Sequence, residues 1–331
     1  DRDVTGVQTC ALPIYFQADA IDACLSFLRD FKESPHYGEI NELLINCYTN
    51  TRNYKDALAA LEAVKTKTPG MKVAFQKVAY YRAVELFMDN KPDDASRLFR
   101  RSLEYPQDQL LVAKANYWIG EAEYRNGDYA KACNGYLAFL NTPAAVTLPN
   151  YSQGNYNYGY AAFKREQYAD ALNAFRKYVK DKEHTDTERF TDALVRIGDC
   201  YFMTRDQVAA LEYYGQAINA GAKAADYAAY QKGIILGVRG RLADKAAVLE
   251  KLAANYPKSV YLDDALYETG QAYLTMGDNT KALACYRRVI NEFPASSYVK
   301  KAELGEALVY YNSGKDDEAA AACKRIIGKY P

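Results

Sequence analysis

The 331-residue sequence is poor in the groups that do chemistry. Histidine occurs twice, at His36 and His184, which leaves little material for imidazole ligation or acid–base work. Neither charge is in excess: 42 Lys and Arg balance 42 Asp and Glu, so no electrostatic feature points to nucleic acid as a partner. No run of about 18 apolar residues exists, and that length is the minimum for a spanning helix, so no transmembrane span is expected. Proline is limited to 10 residues and 49% of the chain is apolar, which excludes a Pro-rich or disordered polymer. What is abundant is tyrosine, 31 residues against the single Trp118.

Residues Val4 to Ile14 read VTGVQTCALPI, a string that resembles the in-frame translation of a sequencing-library adapter. Asp1–Ile14 are therefore set aside as non-native, and the native reading starts near Tyr15. Beyond Cys10, six cysteines remain: Cys24, Cys47, Cys133, Cys200, Cys285 and Cys323. None forms a C-x-x-C pair or has a histidine at metal spacing, so they read as small hydrophobes in helix-packing slots. Unpaired thiols also weigh against an oxidising compartment. His184 lies in a polar stretch and reads as a solvated loop residue, and the glycines of Gly154-Asn155-Tyr156-Asn157-Tyr158-Gly159 follow no strand, which argues against a phosphate loop. No catalytic residue, metal or cofactor is expected.

The chain repeats. An alanine recurs at Ala20, Ala57, Ala95, Ala132, Ala171, Ala210, Ala246, Ala282 and Ala319, at intervals of 36 to 39 residues. A larger group follows four residues after most of these, at Cys24, Leu61, Phe99, Tyr136, Phe175, Tyr214, Tyr286 and Cys323, and seven residues after stand Phe27, Val64, Phe139, Tyr178, Val289 and Ile326. Positions i, i+4 and i+7 share one face of a helix, so each segment buries a stripe. Gly120, Gly159, Gly198 and Gly270 precede the alanine by twelve residues, and Gly233 precedes Ala246 by thirteen. A glycine opposite an alanine lets two antiparallel helices approach closely. Asn126-Gly127-Asp128, Gly277-Asp278 and Gly314-Lys315-Asp316 mark the turn inside each pair, and Pro69, Pro106, Pro257, Pro294 and Pro331 are expected to end the second helices. Asn141–Asn150, with Pro143 and Pro149, is the longest irregular connection and the expected flexible point.

This pattern resembles the tetratricopeptide repeat (TPR) family, whose unit is a helix–turn–helix with small inner contacts and a terminal proline. The resemblance spans Tyr15 to Pro331 as one second helix and about eight pairs, and implies an all-α, right-handed solenoid forming a single domain over 15–331. Tyr256-Pro257-Lys258-Ser259 and Phe293-Pro294-Ala295-Ser296, each followed by Tyr261 or Tyr298, are similar to the Tyr-Pro-x-Ser rhythm of TPR proteins of the Gram-negative envelope. That implies a periplasmic or outer-membrane-associated address, with the cytoplasm as alternative. In the family the first helices line a concave face, and its inner slots here fall on Tyr117, Tyr124, Tyr156, Tyr160, Tyr230 and Tyr267, among other residues. The family's carboxylate clamp for chaperone tails is matched by Asn46 and Lys77 but not by Glu42 and Thr49, which argues against a chaperone-tail receptor.

The expected function is a non-catalytic scaffold that binds a partner protein or extended peptide in a tyrosine-rich concave groove, with a place in envelope assembly implied by the resemblance of the linker rhythm. Tyrosine suits that task because it offers large apolar area and a polar tip at small entropic cost. Two alternatives stay open at this point: the rings pack between helices, or they stack on sugars as a glycan- or peptidoglycan-binding module.

Overall fold

A computed structural model of the protein describes residues 19–181 and 186–330. The adapter-like segment, Tyr15, His184 and Pro331 lie outside the described residues. Within them the chain is helical, with no strand. The chain divides into two compact units, the first ending at Gln167 and the second beginning at Tyr168. The first holds α1 (residues 19–30), α2 (Tyr37–Asn50), α3 (Tyr54–Ala63), α4 (Pro69–Met88), α5 (Pro92–Ser102), α6 (Gln109–Arg125), α7 (Tyr129–Asn141), the 3-10 turn η1 (Pro143–Thr147) and α8 (Tyr151–Lys164). The second holds α9 (Tyr168–Lys180), α10 (Thr187–Met203), α11 (Gln207–Ala220), α12 (Ala225–Val238), α13 (Leu242–Asn255), α14 (Leu262–Thr275), α15 (Asn279–Glu292), α16 (Val299–Asn312) and α17 (Asp316–Lys329). In each unit successive helices pack on their neighbours, and the fold is a helical-repeat solenoid.

The recurrent alanine is the point of closest packing. Ala57, Ala95, Ala132, Ala171, Ala210 and Ala282 have no exposed surface. The group four residues on fills the same core: Leu61, Phe99, Phe175 and Tyr286 are fully buried, Tyr136 and Tyr214 almost so. The glycines explain how rings of this size fit between paired helices. A Cβ built on Gly120 would stand 2.5 Å from the Tyr136 ring, and one on Gly198 would stand 2.7 Å from Tyr214. Any side chain there would have to displace a core ring. Cys323 departs from the expected packing role: it is exposed, because no further described helix covers the outer side of α17.

The turn between first and second helices uses one residue in the left-handed region every time: Arg52, Asn90, Gly127, Glu166, Arg205, Gly240, Gly277 and Gly314. The next residue's N–H then donates five positions back around the turn to a first-helix carbonyl, as from Asp128 to Glu123 and from Asp278 to Tyr273. Asn53, Asp128, Asp206 and Asp278 add side-chain caps to the helix that follows. This geometry corrects the register of one repeat. The left-handed residue stands five before the alanine in seven turns, but Gly240 stands five before Lys245, not Ala246. Lys245 therefore takes the alanine slot and Leu249 the ring slot, where a Cβ on Gly233 would stand 2.5 Å from Leu249. Lys245 is 7% exposed and runs its stem past Gly237 to place Nζ 2.5 Å from Glu268 Oε2.

Prolines also divide by role. Pro257 and Pro294 directly follow the last capping residues of α13 and α15, as expected. Pro69 does not end a helix: α3 stops at Ala63, and Pro69 opens α4 behind the Thr68 cap. At that first position the missing N–H would have had no helical partner anyway. In the 141–150 connection, Thr142 Oγ1 donates to the Ala138 carbonyl and Ala145 of η1 is fully buried.

Candidate binding surface on the first helices

In the first unit the inner-slot tyrosines separate by burial. Tyr117 is only 6% exposed, edge-on to Phe139 at 5.2 Å, and its hydroxyl accepts from Asn157 Nδ2 at 3.1 Å. Burial, with the Glu121 charge beside it, raises its pKa. It supports the surface from beneath and presents no open ring face. Tyr80 and Phe87 are likewise core residues. Tyr124 is half-buried, with its ring 5.2 Å from Tyr129, and Tyr156 and Tyr160 form a half-buried edge-to-face pair at 5.1 Å. Beneath them Glu121 Oε1 accepts from the Tyr136 hydroxyl at 2.8 Å and from Asn157.

The second unit carries a longer aromatic run. Tyr230 stacks on Tyr261 at 5.3 Å with 15° between planes, and Tyr227 meets the same ring at 5.5 Å. Tyr267 lies 5.1 Å from Tyr298, and Lys301 Nζ sits 4.9 Å from the Tyr298 centroid. Asp264 lies between the two groups, close enough for the Tyr298 and Tyr230 hydroxyls both to act on its carboxyl. Burial raises the Asp264 carboxyl, and the nearby Tyr298 and Tyr230 hydroxyls oppose that rise. All five rings are half-buried and come from α12, α14 and the segments that enter α14 and α16. Gln271 fixes Tyr267 by donating to its hydroxyl at 2.9 Å.

Asp199 anchors the start of this run. It is 6% exposed, accepts from Tyr214 at 2.6 Å and Tyr227 at 3.2 Å through Oδ1, and pairs with Arg196 at 2.6 Å through Oδ2. Desolvation raises its pKa, opposed by Arg196 and the two phenol bonds. Arg196 and Tyr227 in turn line an open cavity of about 860 Å³ with the α11–α12 turn and the α13–α14 linker.

Sequence reasoning placed Tyr230 and Tyr267 on this surface but omitted Tyr261 and Tyr298, which it treated only as part of a linker rhythm. The structure gives that rhythm a mechanical meaning. Ser259 Oγ donates to Asp226 Oδ2 at 2.7 Å and accepts from the Tyr261 N–H at 3.2 Å. Ser296 repeats the arrangement with Asp263 at 2.5 Å and Tyr298 at 3.0 Å. Each serine thus ties its linker to the first helix of the preceding repeat and turns the following tyrosine toward the aromatic run. The signal was a Ser and an Asp separated by 33 residues in both repeats.

Among the described residues no group of three His, Cys, Asp or Glu side chains is placed to hold a metal. The six described cysteines are free thiols, and burial raises Cys200 to about 12 and Cys285 to about 11, which keeps both protonated and unreactive at neutral pH. No described helix is long and apolar enough to cross a membrane.

Comparison with known proteins agrees with the repeat pattern. Two tetratricopeptide repeat family profiles match, one over residues 82–139 and 156–228 and the other over 264–296 and 301–331. Among curated proteins none matches the sequence. Among solved structures, the C-terminal part of a TPR repeat-containing protein from Cytophaga hutchinsonii is similar at TM-score 0.56 and 15% identity, over 80% of this chain and 98% of that one. A signal transduction ATPase with a tetratricopeptide repeat sensor, from Pyrococcus horikoshii, is similar at TM-score 0.56 and 14% identity, over 91% of this chain and 53% of that one. At these identities the likeness is one of fold. With the profiles covering more than half of the sequence and the repeat geometry present from α2 to α17, the chain belongs to the tetratricopeptide repeat family.

Proposed function

We propose that the protein is a non-catalytic scaffold that holds an extended peptide or a partner protein against the first-helix tyrosines of its repeats, in a cell-envelope assembly. The observation that carries this reading is the run of Tyr227, Tyr261 and Tyr230, and of Tyr298 and Tyr267, in ring contact across successive repeats with Asp264 between the two groups. Asp199 and Gln271 fix the Tyr227 and Tyr267 hydroxyls and ring contacts hold the others, so a ligand meets rings already in place and pays little to order them. Tyr124, Tyr156 and Tyr160 are the contact residues proposed in the first unit, with Tyr117 setting their support. The envelope address rests on the likeness of the Tyr-Pro-x-Ser linkers to those of envelope proteins.

The test is affinity capture from a Gram-negative envelope extract, comparing the protein with a Tyr156→Ala/Tyr160→Ala/Tyr230→Ala variant of unchanged helicity. A protein retained by the first and lost by the second is expected. Retention of peptidoglycan fragments instead of protein would replace this reading with a glycan-binding one.

A further inference from the structure

The cavity bounded by α10, the α11–α12 turn and the α13–α14 linker is lined by three cations, Arg196, Lys223 and Lys258, and by one carboxylate, Asp226. Asp226 keeps its charge but turns both oxygens inward, Oδ2 to Ser259 and Oδ1 to the Tyr227 N–H at 2.7 Å. Arg196 directs its guanidinium to Asp199 and Asp192. Lys223 and Lys258 line the same space, are exposed, and make no ion pair among the described residues. One stands on the turn before α12 and the other on the linker before α14, so two repeats each contribute an ammonium group to one opening. Between them the wall is formed by Tyr227, Tyr256, Tyr261 and Val260, the last 80% exposed.

We propose that this cavity receives an acidic segment of the extended peptide, its carboxylates set between Lys223 and Lys258 and a neighbouring apolar side chain resting on Tyr261 and Val260. The inference rests on the peptide-scaffold reading and names the chemistry of the ligand. A peptide suits the site better than a nucleic acid. Asp226 and Asp264 act on Tyr261 and Asp192 pairs with Arg196, and these carboxylates would repel the unbroken charge of a phosphate backbone, whereas a peptide can space its carboxylates to meet only the two lysines. Lysine serves here as an adaptable point charge on a flexible stem, which matches variable sequences with a common sign.

The experiment is selection of displayed random short peptides on the full chain, followed by fluorescence anisotropy of the recovered sequences after synthesis. Recovered peptides are expected to carry Asp or Glu beside an apolar or aromatic residue. Lys223→Glu/Lys258→Glu is expected to weaken their binding by about tenfold or more, the equivalent of about 1.4 kcal/mol, while Lys223→Arg/Lys258→Arg retains it. Both lysines are exposed, so unchanged helicity in these variants is the control for folding. Peptides without acidic residues, or peptides indifferent to charge reversal but lost in the Tyr156→Ala/Tyr160→Ala/Tyr230→Ala variant, would overturn this inference and leave the scaffold reading standing. Failure to recover any peptide would overturn both. A single-stranded oligodeoxynucleotide bound as tightly as the peptides, and equally sensitive to the reversal, would also overturn it.

Discussion

The Tyr286 ring occupies the space that a side chain on Gly270 would need: a Cβ there would stand 2.7 Å from Tyr286 Cε1. On its other side the same ring meets Gly305, where a Cβ would stand 2.6 Å from Cζ, so α14 and α16 both close on α15 through a glycine. Overpacking such a site costs about 1–3 kcal/mol, and alanine returns about 1 kcal/mol of helix propensity. Gly270→Ala is therefore expected to destabilise the protein by about 1–2 kcal/mol, the upper part of that balance. Gly328→Ala, in α17 with nothing within 4 Å, is expected to be neutral or stabilising by up to about 1 kcal/mol. Urea unfolding of the two variants checks the contrast, and equal effects would contradict it.

The hydroxyls of two equivalent rings behave differently. Tyr214 donates to buried Asp199 at 2.6 Å, whereas the Tyr286 hydroxyl is buried without a hydrogen-bond partner among the described residues. Tyr214→Phe removes a bond to a carboxylate, worth about 1.5–3 kcal/mol. Tyr286→Phe removes an oxygen that already bears its desolvation cost, so its expected effect is a change below about 0.5 kcal/mol or a gain. Thermal unfolding of both variants tests the difference. A larger loss for Tyr286→Phe would show that its hydroxyl is bonded in solution.

The left-handed turn position sets a third contrast. Arg205 holds φ at 66° and Gly277 holds it at 82° in equivalent turns. A side chain in this region costs about 1–2 kcal/mol, partly offset by the greater freedom glycine gives the unfolded chain. Arg205→Gly is expected to stabilise by about 0.5–1 kcal/mol and Gly277→Ala to destabilise by about 1 kcal/mol. Hydrogen exchange in α10–α11 and α14–α15 resolves each effect within its own repeat.

These contrasts also show what a sequence reader could see. Ala132, Ala210 and Ala282 were legible because only a small residue fits where two helix backbones meet, and Gly120, Gly198 and Gly270 because the ring opposite them leaves no room for Cβ. Lys245 was not legible: its alkyl stem fills an alanine slot while Nζ reaches Glu268, and spacing alone favoured the small Ala246 next to it. Arg52, Glu166 and Arg205 in left-handed turns were hidden for a related reason, since the repeat geometry imposes a conformation that the residue type would not choose. For the surface, inner-slot spacing found Tyr156, Tyr160, Tyr230 and Tyr267 but could not distinguish the buried Tyr117 from them. Exposure depends on what the next repeat lays over a ring, and Tyr261 and Tyr298 reach the surface from linkers that inner-slot spacing does not cover.

Tyrosine burial makes the alkaline limit of stability a measurable property. Burial raises Tyr80 to about 12, and it raises Tyr214 and Tyr227 further with the help of the Asp199 charge. A phenol whose folded pKa lies above its unfolded value keeps its proton in the native state after the unfolded chain has lost it. The unfolded state then binds fewer protons, so the stability these groups allow is complete below about pH 10 and is lost as the pH rises above it. Absorbance at the phenolate band is expected to rise in two stages. The exposed rings ionise first, reversibly and with helicity intact. The buried set then ionises in a steeper step that coincides with loss of far-ultraviolet ellipticity. Tyr214→Phe removes one raised phenol and its alkaline penalty, so relative to the parent its stability deficit should shrink as the pH climbs. Reversible ionisation of all the tyrosines in one stage, with the helices intact, would mean that water reaches the buried rings without unfolding.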